Sequence, residues 1–282
     1  MKEIRFGPAG IPIGCKGGTL EGIKCAKEEG LSALEVEFVR GVRMREETAT
    51  RVNKLAKVLD VVLSCHAPYW INCSAKEPEK LEIAKRNLLA AVRMAHLMGA
   101  WIVVFHPGYY MGREPREASE LVVTTLKEVL AQMRKEKISD VTLGMETTGK
   151  VSAVGTLAET IEMSKKLDQT QPVIDFAHLH ARGGGSLKQR EDYGKVFDEL
   201  EEGYGKDILK KMHCHFSEIE FTDKGERKHL PLGERYSPPF EPLAMELVER
   251  KIKGTVISES PLLDKDALKM KEMVEKVKLL LG

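Results

Sequence analysis

Six short apolar runs of this sequence end in a side chain that can bind a metal ion. These side chains are three histidines and three carboxylates, namely His66, His106, Glu146, Asp175, His215 and Glu259. Imidazole nitrogens and carboxylate oxygens are ligands for zinc and manganese. Neighbouring members of the series are roughly 30 to 45 residues apart, which is enough chain for one strand and one helix. The pattern predicts a metal site built from six separate places in the chain.

The elements that must position these side chains form a regular alternation. Eight runs rich in Val, Ile and Leu, each followed by a longer amphipathic segment, are predicted to be strands. They are Glu3 to Phe6, Ala33 to Val39, Val61 to Cys65, Trp101 to Phe105, Val141 to Met145, Pro172 to Ile174, Met212 to His215, and Thr255 to Ser258. Eight strand and helix units in 282 residues predict an α/β fold, a (β/α)8 TIM barrel forming a single domain over residues 1–282. An open doubly wound sheet is the alternative.

Local signals agree with this alternation. Pro78 to Met98 is predicted to be a helix, because its apolar residues recur at spacings of three or four on one face. Gly30, Gly99 and Gly254 each stand just before a strand and are predicted to end a helix in the left-handed conformation. Thr156 and Glu159 form the pattern of a capping box, which predicts a helix start.

The alternation also predicts where the chemistry is located. All strands of a barrel are parallel, so residues at their carboxyl ends converge on one rim. Buried carboxylates repel each other and neutral imidazoles do not offset them, so such a ring needs cations. A carboxylate such as Glu146 could bridge two ions about 3.5–4 Å apart, as in dinuclear hydrolases. For any single position the ordinary alternative is a hydrogen-bonded residue of the core or a loop.

Some neighbouring residues remain open at this stage. His213 and His215 share one side of a strand, and one of them could be a supporting residue. His180 could be a ligand or a loop residue. Cys65 and Cys214 should point away from the metal side, because side chains alternate along a strand.

Composition limits the classes of protein. The formal net charge is +1, which predicts no general affinity for nucleic acid, so a polyanion would have to meet a local patch. No apolar run approaches the length of a membrane span, and no signal segment is recognised. Five cysteines, an odd number without a C-x-x-C pair, argue against a disulfide framework. We therefore expect a cytoplasmic protein without a membrane partner, and a monomer.

The sequence resembles the endonuclease IV family of apurinic/apyrimidinic endonucleases, which belongs to the xylose-isomerase-like TIM barrels. Seven motifs in order along most of the chain carry the resemblance. They are His66-x-x-Tyr69-x-Ile71-Asn72, Phe105-His106-Pro107-Gly108, Met145-Glu146-Thr147, Ile174-Asp175-x-x-His178, His215-Phe216-Ser217-Glu218, His229-x-x-Leu232-Gly233-Glu234, and Glu259-Ser260-Pro261.

The resemblance implies a zinc-dependent enzyme of base excision repair that cleaves duplex DNA on the 5′ side of an abasic site. It implies that one ion is held by His66, His106 and Glu146. A second would be held by Glu146, Asp175, His215 and Glu259, and His178 and His229 would help to hold a third. Among these, Glu146 and Glu259 are the predicted catalytic residues. Manganese is the alternative metal.

The sequence departs from the family pattern at several positions. Arg227 stands where the family has an aspartate ligand two residues before His229, so we expect two ions, and the third lacks this ligand. Glu226, Asp223 or His180 could replace the missing ligand, or Arg227 could supply the positive charge itself. Glu218 occupies an aspartate position, and the first strand ends without the usual histidine.

Contacts to DNA are predicted for exposed residues of rim loops. Tyr69 matches a family position that enters the duplex near the lesion. Candidate phosphate partners are Arg40, Arg43, Arg45, Arg182, Lys188, Arg227, Lys228 and Arg235. Each could also be an ordinary solvated surface charge.

A sugar or sugar-phosphate isomerase or epimerase on the same barrel is the alternative function. Glu146, Asp175, His215 and Glu259 alone would satisfy its single metal ion. His66 and His106 separate the two hypotheses, because a one-metal isomerase does not need them as ligands.

Overall fold

The computed structural model of the chain describes residues 3–233 and 237–281. Within these ranges the strands are β1 (Ile4–Pro8), β2 (Ala33–Glu37), β3 (Val62–His66), β4 (Ile102–Phe105), β5 (Gly108–Tyr109), β6 (Thr142–Glu146), β7 (Ala153–Val154), β8 (Thr170–Asp175), β9 (Met212–Phe216), β10 (Glu218–Thr222), β11 (Gly225–Leu230) and β12 (Gly254–Ser258). The helices are α1 (Thr19–Glu28), α2 (Glu46–Leu59), α3 (Pro78–Met98), α4 (Pro115–Lys135), α5 (Leu157–Lys165), α6 (Phe176–Arg182), α7 (Arg190–Gly203), α8 (Phe240–Glu249) and α9 (Leu263–Leu281). A short 3-10 helix spans Lys206–Lys210.

All eight predicted strands are present and belong to one sheet. The strand order is β1-β12-β9-β8-β6-β4-β3-β2. The pairs along it are parallel, for example β4 with β6 and β9 with β12. Neighbours in the sheet follow one another along the chain, whereas a doubly wound sheet reverses its order at a switch point. The order therefore confirms the predicted (β/α)8 class.

The chain forms two compact units. Unit 1 consists of Met1–Leu34, Gly149–Val151 and Ile174–Gly282, and unit 2 consists of Glu35–Thr148 and Ser152–Val173. Strands β9, β12 and β1 belong to unit 1, while β3, β4 and β6 belong to unit 2. The single domain expected from the sequence remains a prediction.

Helix α3 of unit 2 shows how the sequence encodes the packing. It begins and ends at the predicted residues, and the predicted apolar face is buried at Ala84, Leu88, Val92 and Ala95. Full burial of an aliphatic side chain such as Leu88 contributes about 1.5–3 kcal/mol. Gly99 ends the helix in the left-handed conformation, with φ 73°, as predicted.

Of the other residues predicted to mark the start or end of a helix, some do so and one does not. Thr156 and Glu159 form the predicted capping box at the start of α5. Gly30 has a φ of 88° just after α1, also as predicted. The interpretation of Gly254 was wrong, because α8 ends earlier and Gly254 is the first residue of β12. A Cβ at this position would lie 1.9 Å from the carbonyl oxygen of Met212, so the close approach of β9 requires glycine.

The cysteines have two kinds of environment. In unit 1 a disulfide bond joins Cys15, in the loop after β1, to Cys25 in α1, which the odd number of cysteines did not predict. Cys65, Cys73 and Cys214 are reduced and buried. Among the described residues, none of the helices is both long and apolar enough to cross a membrane.

Candidate functional site

Unit 2 brings together three of the predicted ligands. His66 is the last residue of β3, His106 follows β4, and Glu146 is the last residue of β6. These strands are neighbours in the sheet, so their carboxyl ends lie side by side. Oε2 of the fully buried Glu146 lies 3.1 Å from Nε2 of His66 and 2.9 Å from Nε2 of His106. Two nitrogens and one oxygen therefore converge on a common point.

Hydrogen bonding fixes how His66 faces this point. Its Nδ1 lies 2.7 Å from the backbone oxygen of Ala67, and because a carbonyl only accepts, Nδ1 must donate. In a neutral imidazole the lone pair is then on Nε2, directed at the Glu146 carboxylate. Two electron-rich atoms at this distance need a cation between them, either a proton or a metal ion.

The negative charge around His66 also changes its pKa. Burial lowers it, but the hydrogen bond and negative charge of Glu146, with smaller contributions from Glu37 and Glu35, more than offset burial and raise it from 6.5 to about 10. A potential that holds a proton this firmly also attracts a metal cation. The set of two imidazoles and one carboxylate is the donor set of many three-ligand zinc sites. The residues therefore fit a divalent ion.

The loop carrying His106 is supported by a polar side chain. Asn72 Oδ1 accepts hydrogen bonds from the backbone N–H and the hydroxyl of Ser74 and from the N–H of Tyr109. A Cβ on Gly108 would lie 2.4 Å from that oxygen, so the loop packs closely against it. Asn72 and Gly108, which belong to two separate motifs of the sequence, are thus in direct contact.

Unit 1 brings together four other predicted ligands. Asp175, His178, His229 and Glu259 offer ligand atoms that all lie within 4.8 Å of one another. Asp175 ends β8 and caps α6, because its Oδ1 accepts the N–H of His178 at 2.7 Å. The spacing Asp175-x-x-His178 is therefore that of a helix cap followed by its first turn. Oδ2 of the same carboxylate lies 3.5 Å from His178 Nδ1.

His229 is oriented by a serine. The Ser217 hydroxyl donates to the backbone oxygen of Glu218 at 2.8 Å, so its oxygen accepts from Nδ1 of His229 at 2.7 Å. The lone pair of neutral His229 is then on Nε2, which lies 3.7 Å from Glu259 Oε2. His178 and His229 also meet edge to face, with their ring centres 5.2 Å apart.

The structure distinguishes the two histidines of β9. His215 Nδ1 lies 3.1 Å from Glu259 Oε1, so His215 is near a predicted ligand. His213 is buried, and its Nδ1 is hydrogen-bonded to the Thr255 hydroxyl. Cys214 lies between them, buried, with its thiol near the backbone oxygen of Thr255. Burial raises the pKa of Cys214 to about 12.

His180 lies in the last turn of α6, where both of its ring nitrogens are hydrogen-bonded. Its Nδ1 accepts the N–H of Leu187 at 3.1 Å, and its Nε2 is therefore the donor to the Ser237 hydroxyl at 2.8 Å. Burial lowers its pKa to about 4, which keeps it neutral. Both ring nitrogens are engaged, so His180 is a poor replacement for a missing metal ligand.

Three of the residues predicted to contact DNA, Tyr69, Arg40 and Arg43, belong to unit 2. Tyr69 is 60% exposed, directly after the loop of His66, and stacks edge to face on Trp70, which sequence reasoning missed. Arg40 and Arg43 are exposed in the loop after β2, and Gly41 of that loop approaches Trp70. These residues all belong to unit 2.

The other candidates for contacts to DNA belong to unit 1. Arg182 donates a hydrogen bond to the backbone oxygen of Lys150 at 2.7 Å. Arg227 is exposed and pairs with Glu220 across the β10–β11 hairpin. Glu234 and Arg235 lie outside the described residues.

The sequence is similar to a family model and to several known proteins. The model of the xylose isomerase-like TIM barrel family matches residues 23–278. An uncharacterised protein of Methanocaldococcus jannaschii is 34% identical over 93% of this chain and 94% of that protein. An apurinic-apyrimidinic endonuclease of Caenorhabditis elegans is 27% identical over 82% of this chain, and the match spans 61% of that longer protein.

Solved structures agree on the fold. Endonuclease IV of Thermus thermophilus has a TM-score of 0.69 and 22% identity over 96% of this chain and 99% of its own. A D-tagatose 3-epimerase-like protein has a TM-score of 0.72 and 20% identity over 98% of this chain and 100% of its own. At this identity both show the fold alone. Fold and sequence model together place this chain in the xylose isomerase-like TIM barrel family.

Proposed function

We propose that this protein is a metal-dependent phosphodiesterase that cleaves duplex DNA on the 5′ side of an abasic site. The observation that carries the proposal is the convergence of His66, His106 and Glu146 in unit 2. A one-metal isomerase has no need of these two histidines as ligands. The similarity to an apurinic-apyrimidinic endonuclease supports the same choice.

In this proposal His66, His106 and Glu146 hold one divalent ion. The ligands in unit 1 are Asp175, His178, His215, His229 and Glu259. Bound divalent ions supply positive charge to a phosphate and lower the pKa of water, so that a nucleophile exists at neutral pH. The protein residues fix the positions of these ions. The predicted bridging role of Glu146 and the catalytic role of Glu259 are part of the proposal, as is zinc as the metal.

Recognition of DNA is assigned to exposed residues of unit 2. Arg40 and Arg43 would contact phosphates, and Tyr69 with its stacked neighbour Trp70 would contact the exposed face of a base beside the lesion. An abasic nucleotide has no base pair to break, so it can leave the helix at lower cost. A role in base excision repair, in the cytoplasm and as a monomer, belongs to this proposal.

The test uses the full chain and an end-labelled duplex that carries one tetrahydrofuran abasic analogue. We expect a single nick on the 5′ side of the analogue that leaves a 3′-hydroxyl end. Chelator should abolish it, and zinc or manganese should restore it. The same duplex with an intact base is the control and should remain uncut.

A failure to cut the abasic duplex would contradict the proposal. If protein with a measured complement of bound metal leaves the abasic duplex intact, the proposal is wrong. Conversion of a ketose by the same preparation would then identify the isomerase alternative.

A further inference from the structure

A buried carboxylate of α9 binds two separate loops of unit 1. Asp266 lies near the start of this helix and is fully buried. Its Oδ2 accepts the backbone N–H of Leu232 at 2.8 Å and also accepts the hydroxyl hydrogen of Ser260. Leu232 lies in the loop after β11, and Ser260 lies in the loop after β12. One carboxylate oxygen therefore joins the two loops.

Each of these loops carries a candidate metal ligand close to the bonded residue. Glu259 directly precedes Ser260, and His229 is three residues before Leu232. Nε2 of His229 lies 3.7 Å from Oε2 of Glu259. By binding both loops, Asp266 acts on the distance between these two ligands.

The connection from His229 to Leu232 is short and restricted. Leu230 is paired with Glu218 in the β10–β11 hairpin, and Pro231 has a φ fixed by its ring. A displacement of Leu232 is therefore passed on to His229 rather than absorbed by the chain between them.

Strand pairing does not hold these two ligands together. Strand β12 pairs with β1 and β9 in the main sheet, whereas β10 and β11 form a two-stranded sheet of their own. Within the described residues no backbone ladder joins β11 to β12. Side chains must therefore fix the hairpin relative to the end of β12.

Lys269 completes the attachment of Leu232. Its Nζ lies 2.7 Å from Asp266 Oδ1 and donates to the backbone oxygen of Leu232 at 3.1 Å. Both backbone polar groups of Leu232 are thus bound by side chains of α9. The ammonium group also compensates the buried carboxylate, whose burial without partners would be costly.

A second carboxylate of α9 has similar surroundings but holds a different loop. Asp264 is also fully buried, and its Oδ1 accepts the backbone N–H of Ile13 in the loop after β1. Lys265 pairs with Asp264 at 3.0 Å. The loop after β1 contains none of the predicted ligands. The two aspartates therefore separate the support of a ligand loop from the support of an ordinary loop.

We propose that Asp266 is a positioning residue for the unit 1 cluster, which sets His229 and Glu259 at the separation that a divalent ion requires. The inference rests on the proposed function only for the expectation that unit 1 binds an ion. Ligands of a metal site need placement to within about 0.5 Å, so a buried link between their loops affects binding directly.

The experiment measures the zinc affinity of the full chain by competition with a chelator. Asp266→Ala should weaken one bound zinc by about 10-fold, the lower end of the usual cost of losing a residue that orients ligands. Asp266→Asn keeps an acceptor oxygen for both loops and should recover most of this loss. Asp264→Ala removes an equally buried carboxylate and should bind zinc like the wild type. Thermal unfolding should show which variants are folded.

Cobalt(II) gives a second readout that a loss of stability alone would not change. Its visible absorption depends on the geometry of its ligands. At saturating cobalt, Asp266→Ala should alter the spectrum and Asp264→Ala should not. Lys269→Met, at a side chain that is 44% exposed, should alter the spectrum in the same direction by a smaller amount, and it decides the question if Asp266→Ala does not fold.

Two results would overturn the inference alone. One is wild-type zinc affinity and a wild-type cobalt spectrum in the folded variants of Asp266 and Lys269. The other is an equal loss of zinc affinity in Asp264→Ala and Asp266→Ala. A wild-type chain that binds no zinc would overturn the proposed function together with this inference.

Discussion

The candidate ligands of the two units are held in different ways. In unit 2, His66 and Glu146 are the last residues of parallel strands, and Nδ1 of His66 donates to a backbone oxygen. In unit 1, His229 lies on a two-stranded hairpin, and its Nδ1 donates to the side chain of Ser217. His66 and Glu146 are therefore fixed mainly by backbone geometry, whereas the orientation of His229 depends on a side chain. Only the first kind follows directly from strand spacing.

The largest effect is expected at the centre of the unit 2 cluster. Glu146→Gln removes the charge that both histidines face and should lower the nicking rate by about 1000-fold. Stabilisation of transition-state charge by a metal is worth several kcal/mol, and each 1.36 kcal/mol is a factor of ten. The measurement is single-turnover cleavage of the abasic duplex at saturating zinc.

A matched control separates this effect from a general loss of carboxylate charge. Glu128→Gln changes an exposed residue of unit 2 that pairs with Lys85. It should cleave at the wild-type rate. Equal activity of both variants would show that Glu146 has no role in the reaction.

An intermediate effect is expected from the support of His229. Ser217→Ala removes the acceptor for its Nδ1–H and should weaken one bound zinc by about 10- to 100-fold, the usual cost of losing an outer partner. Chelator competition measures the change. Ser186→Ala, at an exposed serine of the same unit, is the control. If Ser217→Ala binds zinc like the wild type, side-chain support in unit 1 is not important.

The smallest effect on metal is expected at Asn72. If backbone geometry fixes the unit 2 cluster, Asn72→Ala should alter zinc affinity less than Ser217→Ala does. It should nevertheless lower the free energy of unfolding by about 1–3 kcal/mol, because buried donors lose their acceptor. Urea unfolding measures this, and Asn72→Asp, which keeps an acceptor oxygen, should lose less. A larger loss of zinc affinity at Asn72 than at Ser217 would reverse the comparison.

The position of the unit 2 ligands was predictable from the sequence. The period of the apolar runs predicted the strands and thus the grouping of His66, His106 and Glu146, since residues at the ends of parallel neighbours must be adjacent. Alternation also predicted that Cys214 points away from the metal side, and its thiol is buried near the backbone oxygen of Thr255. These inferences need only local periodicity and the parallel arrangement of strands.

The remainder depends on tertiary contacts that periodicity does not encode. Regular alternation assigns Arg227 to the side of His229, and only the pairing of β10 with β11 reveals a β-bulge at that residue. Gly254 was assigned to a helix end from its position just before a strand. The actual reason for glycine there is its close approach to Met212 of the neighbouring strand, and the sequence does not show that contact. The Cys15–Cys25 disulfide likewise depends on how the loop after β1 folds onto α1. Trp70 gave no signal beyond its position next to Tyr69.

The most direct test of the account is an anomalous-scattering map at the zinc edge from crystals of the zinc-loaded chain. We predict a peak about 2.0–2.2 Å from Nε2 of His66, Nε2 of His106 and a carboxylate oxygen of Glu146, the usual zinc–ligand distances. If the three side chains converge without a peak, and the chain in solution also binds no zinc, the account of this protein as a metal-dependent phosphodiesterase is contradicted.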